Sequence, residues 1–176
     1  MSGDGGRPHL VLVGLMGAGK TTVGERCAEL LARPFVDTDD VITAISRRSV
    51  QELFAEAGES IFRELERDAV RDATASPDAA VIACGGGAVL DPDNRRRLRA
   101  AGTVVWLRAS PAVLAERVDA DDTERPLLAP RGAVSTLERL AVVRAAAYEA
   151  VADAAVDTDG RTVDEVADAV LEVYRT

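Results

Sequence analysis

The chain holds a single lysine, Lys20, in "GLMGAGKT", residues 14–21. Every other basic residue is an arginine, apart from His9. Gly14 to Thr21 fits G-x-x-x-x-G-K-[ST], the pattern of a phosphate-binding loop. Glycines in such a loop let backbone N–H groups turn towards phosphate oxygens. The helix that follows adds the partial positive charge of its N-terminus. A slim ammonium fits beside the β- and γ-phosphates, where a forked guanidinium is too broad. Thr21 offers a hydroxyl to Mg2+. The expected chemistry is binding of Mg2+ and a nucleoside triphosphate by Gly17, Ala18, Gly19, Lys20, Thr21 and Thr22. The loop does not say what becomes of the phosphate. A small-molecule kinase, a GTPase switch and an ATPase module all carry one.

Other residues narrow the choice. "DTDD", residues 37–40, closes a short apolar run. If a strand continues through it, Asp37 and Asp39 share a face. Asp37 is the candidate metal residue, directly or through water, because the next strand ends in glycines with no acid. Asp39 is placed to accept a proton from a hydroxyl nucleophile. Gly85, Gly86 and Gly87 stand where an α/β sheet binds ligands, with backbone donors able to approach a small polar molecule. A turn needing positive φ would require only one of them. Arg63 and Glu66 in "FRELE" lie one helical turn apart, which taken alone reads as a surface pair. Arg144 and Tyr148 are four apart in a helix rich in alanine and valine, so Arg144 can point inward. In "ERPLL", residues 124–128, a rigid Arg125-Pro126 can close over a triphosphate and stabilise charge on the transferred group. Arg117 and Arg131 flank that stretch.

These residues need a frame, and the hydrophobic pattern supplies one. Apolar runs at 9–13, 34–39, 79–87, 103–108 and 154–158 read as strands. Helical patterns at 20–32, 40–48, 49–58, 59–75, 91–102, 110–118, 135–153 and 162–175 separate them. Val23, Cys27, Leu30 and Leu31 mark the apolar side of the first helix. Ser49 with Glu52 predicts a capping box, Gly58 a helix stop, and Asp91-Pro92 and Ser110-Pro111 two helix starts. Alternation of this kind implies a parallel sheet covered on both faces. Residues 1–8 read as a frayed tail, residues 9–176 as one domain, and about 118–134, which has no clear period, as a lid.

Composition excludes other classes. Net charge is −9 and aromatics make up 3% of the chain, so nucleic acid is an unsuitable partner. No apolar run approaches the ~20 residues of a membrane span. The expectation is a cytoplasmic monomer acting on small molecules. Cys27 and Cys84 have no metal-ligand spacing and read as buried free thiols. Arg95, Arg96, Arg97 and Arg99 read as a solvated helix face.

In order and spacing, GLMGAGKT, DTD, FRxxE, GGG and RPLL resemble shikimate kinase, over roughly residues 9–174. The resemblance implies the adenylate-kinase-like P-loop fold, with a five-stranded parallel sheet in the order 2-3-1-4-5. It implies transfer of the γ-phosphate of ATP to the 3-hydroxyl of shikimate, with Mg2+ as cofactor and ATP and shikimate as the small-molecule partners. Lys20 and Thr21 then handle phosphate and metal, with Asp37 ordering the water shell of the metal. Asp39 contacts shikimate and is the base. Arg63 and Arg144 hold its carboxylate, and Gly85, Gly86 and Gly87 line its pocket. Arg125 is the catalytic lid arginine. Arg117 lies against the adenine and Arg161 near it, although "GRTVDEV" lacks the proline usual at that edge. A gluconate kinase or a nucleoside monophosphate kinase is the nearest alternative, and the triglycine with Arg63 speaks against both. A nucleotide-dependent switch would leave Asp39 and a carboxylate pocket without a purpose.

Overall fold

The computed structural model describes residues 8–120 and 132–176. Five parallel strands form one sheet in the order β2-β3-β1-β4-β5. They are β1 (His9–Val13), β2 (Phe35–Asp37), β3 (Val81–Ala83), β4 (Gly102–Arg108) and β5 (Ala154–Asp157). β1 is central and pairs with β3 on one side and β4 on the other. All five of its residues are buried, which is why it reads as an unbroken apolar run rather than an alternation. The expected strand order is the one observed.

Seven helices cover the described sheet: α1 (Lys20–Leu31), α2 (Thr38–Ser46), α3 (Val50–Ala75), α4 (Pro92–Ala101), α5 (Pro111–Asp119), α6 (Ala133–Val151) and α7 (Val163–Tyr174). α3 contains the two expected helices. They meet at Gly58, whose φ of 84° and ψ of 169° no helix accommodates, so the predicted stop is a break inside one long element. Ser49 and Glu52 form the expected capping box, and Asp91 caps α4 with Pro92 in its first turn. Ser110 stands at the N-cap of α5, but its hydroxyl makes no cap bond; its own N–H is taken by the Asp159 carboxylate instead.

Two sequence expectations need correction. The buried face of α1 is Val23, Gly24, Cys27 and Ala28, whereas Leu30 is 44% exposed. A face drawn through Leu30 is rotated by about one residue from the one that meets the sheet. The second strand also ends at Asp37, not Asp39, and α2 begins at once.

The main core fills both faces of the sheet, with Leu10, Val11 and Leu12 at its centre. A smaller cluster of Ile42, Leu53, Phe62 and Ala69 ties α2 to α3 beside the β2 edge. This second cluster braces the helices that carry Asp39, Arg63 and Glu66. Cys27 and Cys84 are free and buried, as expected. Burial pushes the Cys84 thiol well above its usual range, so it stays protonated and unreactive beside the glycines. Arg96 and Arg97 are solvated. Arg95 and Arg99 do more than the expected solvated face, donating to the Val89 and Ala150 carbonyls. Among the described residues no helix is long and apolar enough to cross a membrane.

Candidate active site

Parallel register brings the C-terminal strand ends to one edge. Leu12 of β1 pairs with Ala83 of β3, and Ala83 with Asp37 of β2, so the phosphate loop, Asp37 and the triglycine emerge side by side. Between β1 and α1 the loop turns through Gly14, Gly17 and Gly19, at φ of 149°, 81° and 94°. These are conformations that side chains resist, which is why the motif places glycine there. Lys20 opens α1 and folds back over the loop, its Nζ donating to the carbonyls of Gly14 (2.8 Å) and Leu15 (2.9 Å). Its ammonium is thereby held at the helix N-terminus, where an anion is favoured.

The Thr21 hydroxyl donates to Asp37 Oδ2 at 2.9 Å across 16 residues of sequence. The two candidate metal residues are therefore neighbours. Asp37 does not share a strand face with Asp39. It is the N-cap of α2, and its Oδ1 accepts the Asp39 N–H at 2.9 Å. Capping of α2 thus falls to Asp37. Chain reversal at Thr38 splits the acids, sending Asp37 towards the phosphate loop and Asp39 into a neighbouring pocket.

That pocket is lined by Asp39, Arg63, Glu66, Arg144 and the three glycines, with Lys20 and Met16 at the phosphate-loop side. Val50, Phe54 and Phe62 supply an apolar wall. The glycines are required by approach rather than by backbone angle, since none of the three has a positive φ. A Cβ on Gly85 would stand 2.7 Å from Asp39 Oδ1 and 2.8 Å from Glu66 Oε1. A Cβ on Gly86 would stand 3.1 Å from Arg144 Nη1, and one on Gly87 would overlap the Arg63 guanidinium. Each missing side chain makes room for a particular charged group. One backbone donor is already spent: the Gly85 N–H bonds to Thr38 Oγ1 at 3.0 Å, inside the fully buried heart of the DTD turn.

Arg63 and Glu66 are not a surface pair. Arg63 Nη1 donates to Glu66 Oε2 at 2.6 Å, and Glu66 is 2% exposed. Burial pushes the Glu66 carboxyl up to about 6; Arg63 opposes the rise and the charge of Asp39 adds to it. Arg144 is 3% exposed. Its Nε and Nη1 are buried without a hydrogen-bond partner among the described residues. A buried guanidinium with unused donors is costly unless an anion completes it. Arg63 and Arg144 thus give the pocket two forked donors, suited to a carboxylate, beside a carboxylate of its own in Asp39.

The other side of the phosphate loop is built over β4 and β5. Arg117 of α5 donates to Gly17 O (3.2 Å), Thr158 Oγ1 (2.9 Å) and Thr158 O (3.2 Å), joining the loop to the segment after β5. Arg161 sits on that same segment, exposed, donating to Asp157 O and Glu165 O. Arg125 and Arg131, with most of the lid assigned to about 118–134, lie outside the described residues.

Sequence reasoning missed Met16, Val50, Phe54 and Phe62 as pocket residues, and passed over Thr38. Their types are ordinary core types, and only the position of Phe62 beside Arg63 hinted at a role. Tyr148 was noted only for its spacing from Arg144.

A shikimate kinase family model matches residues 16–175. A shikimate kinase of Symbiobacterium thermophilum is 44% identical over 165 residues, 93% of this chain and 94% of that one. Among solved structures, the shikimate kinase from Acinetobacter baumannii in complex with shikimate superimposes with a TM-score of 0.89 at 34% identity, covering 95% of this chain and 92% of that one. A gluconokinase from Sinorhizobium meliloti superimposes with a TM-score of 0.64 at 22% identity, which shows a shared fold alone.

Proposed function

The chain belongs to the shikimate kinase family, and we infer that it transfers the γ-phosphate of ATP to the 3-hydroxyl of shikimate, giving shikimate 3-phosphate and ADP. The observation that carries this reading is the meeting of Arg63, Arg144 and Asp39 over the triglycine, next to Lys20 of the phosphate loop. Two arginines take the acceptor carboxylate. Asp39 faces the hydroxyls and accepts the proton of the attacking one as the O–P bond forms. The bond from phosphorus to the bridging β,γ oxygen breaks, and ADP leaves with that oxygen. Lys20 offsets charge on the β- and γ-phosphates. Such a transfer needs positioning and charge neutralisation more than covalent help.

The family uses ATP, and its members typically use Mg2+. The residues present suit that ion. Thr21 Oγ1 and Asp37 Oδ2 are hard oxygen donors at the mouth of the phosphate loop, and Mg2+ favours few protein oxygens with phosphates and water completing its shell. When bound, it supplies further neutralisation of phosphate charge. Arg117, anchored between Gly17 and Thr158, is placed to flank the adenine, with Arg161 further along the same segment. We place the enzyme in the cytoplasm as a monomer, to be checked by sedimentation.

The test is ADP release from Mg·ATP with shikimate, gluconate, AMP or no acceptor. Strong stimulation by shikimate alone is expected. Stimulation by gluconate or AMP instead would overturn the pocket assignment. A basal rate indifferent to every acceptor would favour a nucleotide switch.

A further inference from the structure

The triglycine has no side chains with which to anchor itself, yet four charged groups rest against its bare Cα atoms. Something outside it must hold it. On one flank Thr38 accepts the Gly85 N–H. On the other, the Tyr148 hydroxyl donates to the Gly86 carbonyl at 2.6 Å. Tyr148 is 1% exposed and lies one turn beyond Arg144 on α6. It does not line the pocket; it stands behind the wall.

Three further observations fix that hydroxyl. Its ring stacks on Trp106 of β4, with centroids 5.3 Å apart and planes at 24°. The positive charge of Arg144 bears on the same hydroxyl. Burial pushes the phenol up to about 12, so it remains a donor at working pH. No peptide bond among the described residues is cis. The Gly87 N–H therefore lies on the opposite edge of the peptide whose carbonyl Tyr148 holds.

We propose that Tyr148 is a positioning residue for the acceptor pocket. Its hydroxyl ties the Gly86–Gly87 peptide to α6 and so sets the distance between that peptide and Arg144. The inference rests on the kinase reading above. Without the tether, a backbone free of Cβ atoms can rotate, and Arg144 loses its register against Gly86.

The test is Tyr148→Phe, which keeps the ring and its stack on Trp106 and removes only the hydroxyl. The KM for shikimate should rise about tenfold, the scale of one lost hydrogen bond, while the KM for ATP stays within about twofold. In an Arg144→Ala background the same substitution should raise the shikimate KM by less than about threefold, because the two residues act through one contact. An unchanged shikimate KM, or an equal rise in both backgrounds, would overturn the proposal. Amide exchange at Gly86 and Gly87 gives a readout that needs no substrate: it should be faster in Tyr148→Phe, and unchanged exchange would count against the tether. Failure of the wild-type enzyme to use shikimate would sink the functional reading instead, and leave the exchange result to judge the tether.

Discussion

Gly87 and Arg63 share one space: a Cβ on residue 87 would stand 2.7 Å from Arg63 Cζ. The glycine is therefore part of the arginine's binding geometry. Gly87→Ala should push the guanidinium away from the pocket without touching the phosphate loop. A charge-assisted hydrogen bond contributes about 1.5–3 kcal/mol, so the KM for shikimate should rise roughly 10- to 100-fold. Steady-state kinetics with each substrate varied would check this, and the KM for ATP should change little.

Asp39 is the one pocket carboxylate in the first turn of α2, beside Lys20. Asp39→Asn keeps the shape and removes the proton acceptor. General-base catalysis typically contributes about 100- to 10,000-fold, and kcat should fall within that range. ATP binding, followed by titration calorimetry, should persist. A kcat near the wild-type value would remove Asp39 from the mechanism.

Asp37 has two tasks that two variants can separate. It caps α2 and it faces the Thr21 hydroxyl. Asparagine is as good an N-cap as aspartate, whereas alanine costs about 1 kcal/mol. Asp37→Ala should lower stability by about that amount, and Asp37→Asn by only a few tenths. Both should need more Mg2+ for half-maximal activity. Thermal melts and Mg2+ titrations of the two variants would show whether the tasks part as described.

Glu66 should make stability fall with pH. Its folded pKa is raised from 4.5 to about 6. A carboxyl of this kind binds its proton more tightly when folded. Its contribution is therefore full below the unfolded value and is lost as pH rises through the folded one. Relative to Glu66→Gln, the wild-type enzyme should lose on the order of 2 kcal/mol between pH 4.5 and 7.5. Urea unfolding of both proteins at the two pH values would measure it. A flat difference would mean that Arg63 fully compensates the buried charge.

The strand–helix alternation, the phosphate loop and most helix caps follow from residue order alone. Apolar period, proline and glycine positions, and Ser49 with Glu52 act over a few residues, and local physics needs no partner. The identities of the charged groups, Asp37, Asp39, Arg63 and Arg144, were legible for the same reason. Their relationships were not. Asp37 and Asp39 part because β2 stops one residue before Thr38 is buried, a boundary set by packing. Arg63 with Glu66 reads as a surface pair until α3 is laid against α2 and the triglycine, where Glu66 is buried and the pair becomes part of a pocket wall. Gly85, Gly86 and Gly87 reveal their purpose only once α2, α3 and α6 deliver a side chain to each. Tyr148 gains a role only through Gly86, 62 residues away. Sequence by itself determined which chemical groups this protein has and the order of the elements that carry them. Tertiary structure alone decided which groups are desolvated and which meet, because burial and approach depend on contacts between segments far apart in the chain.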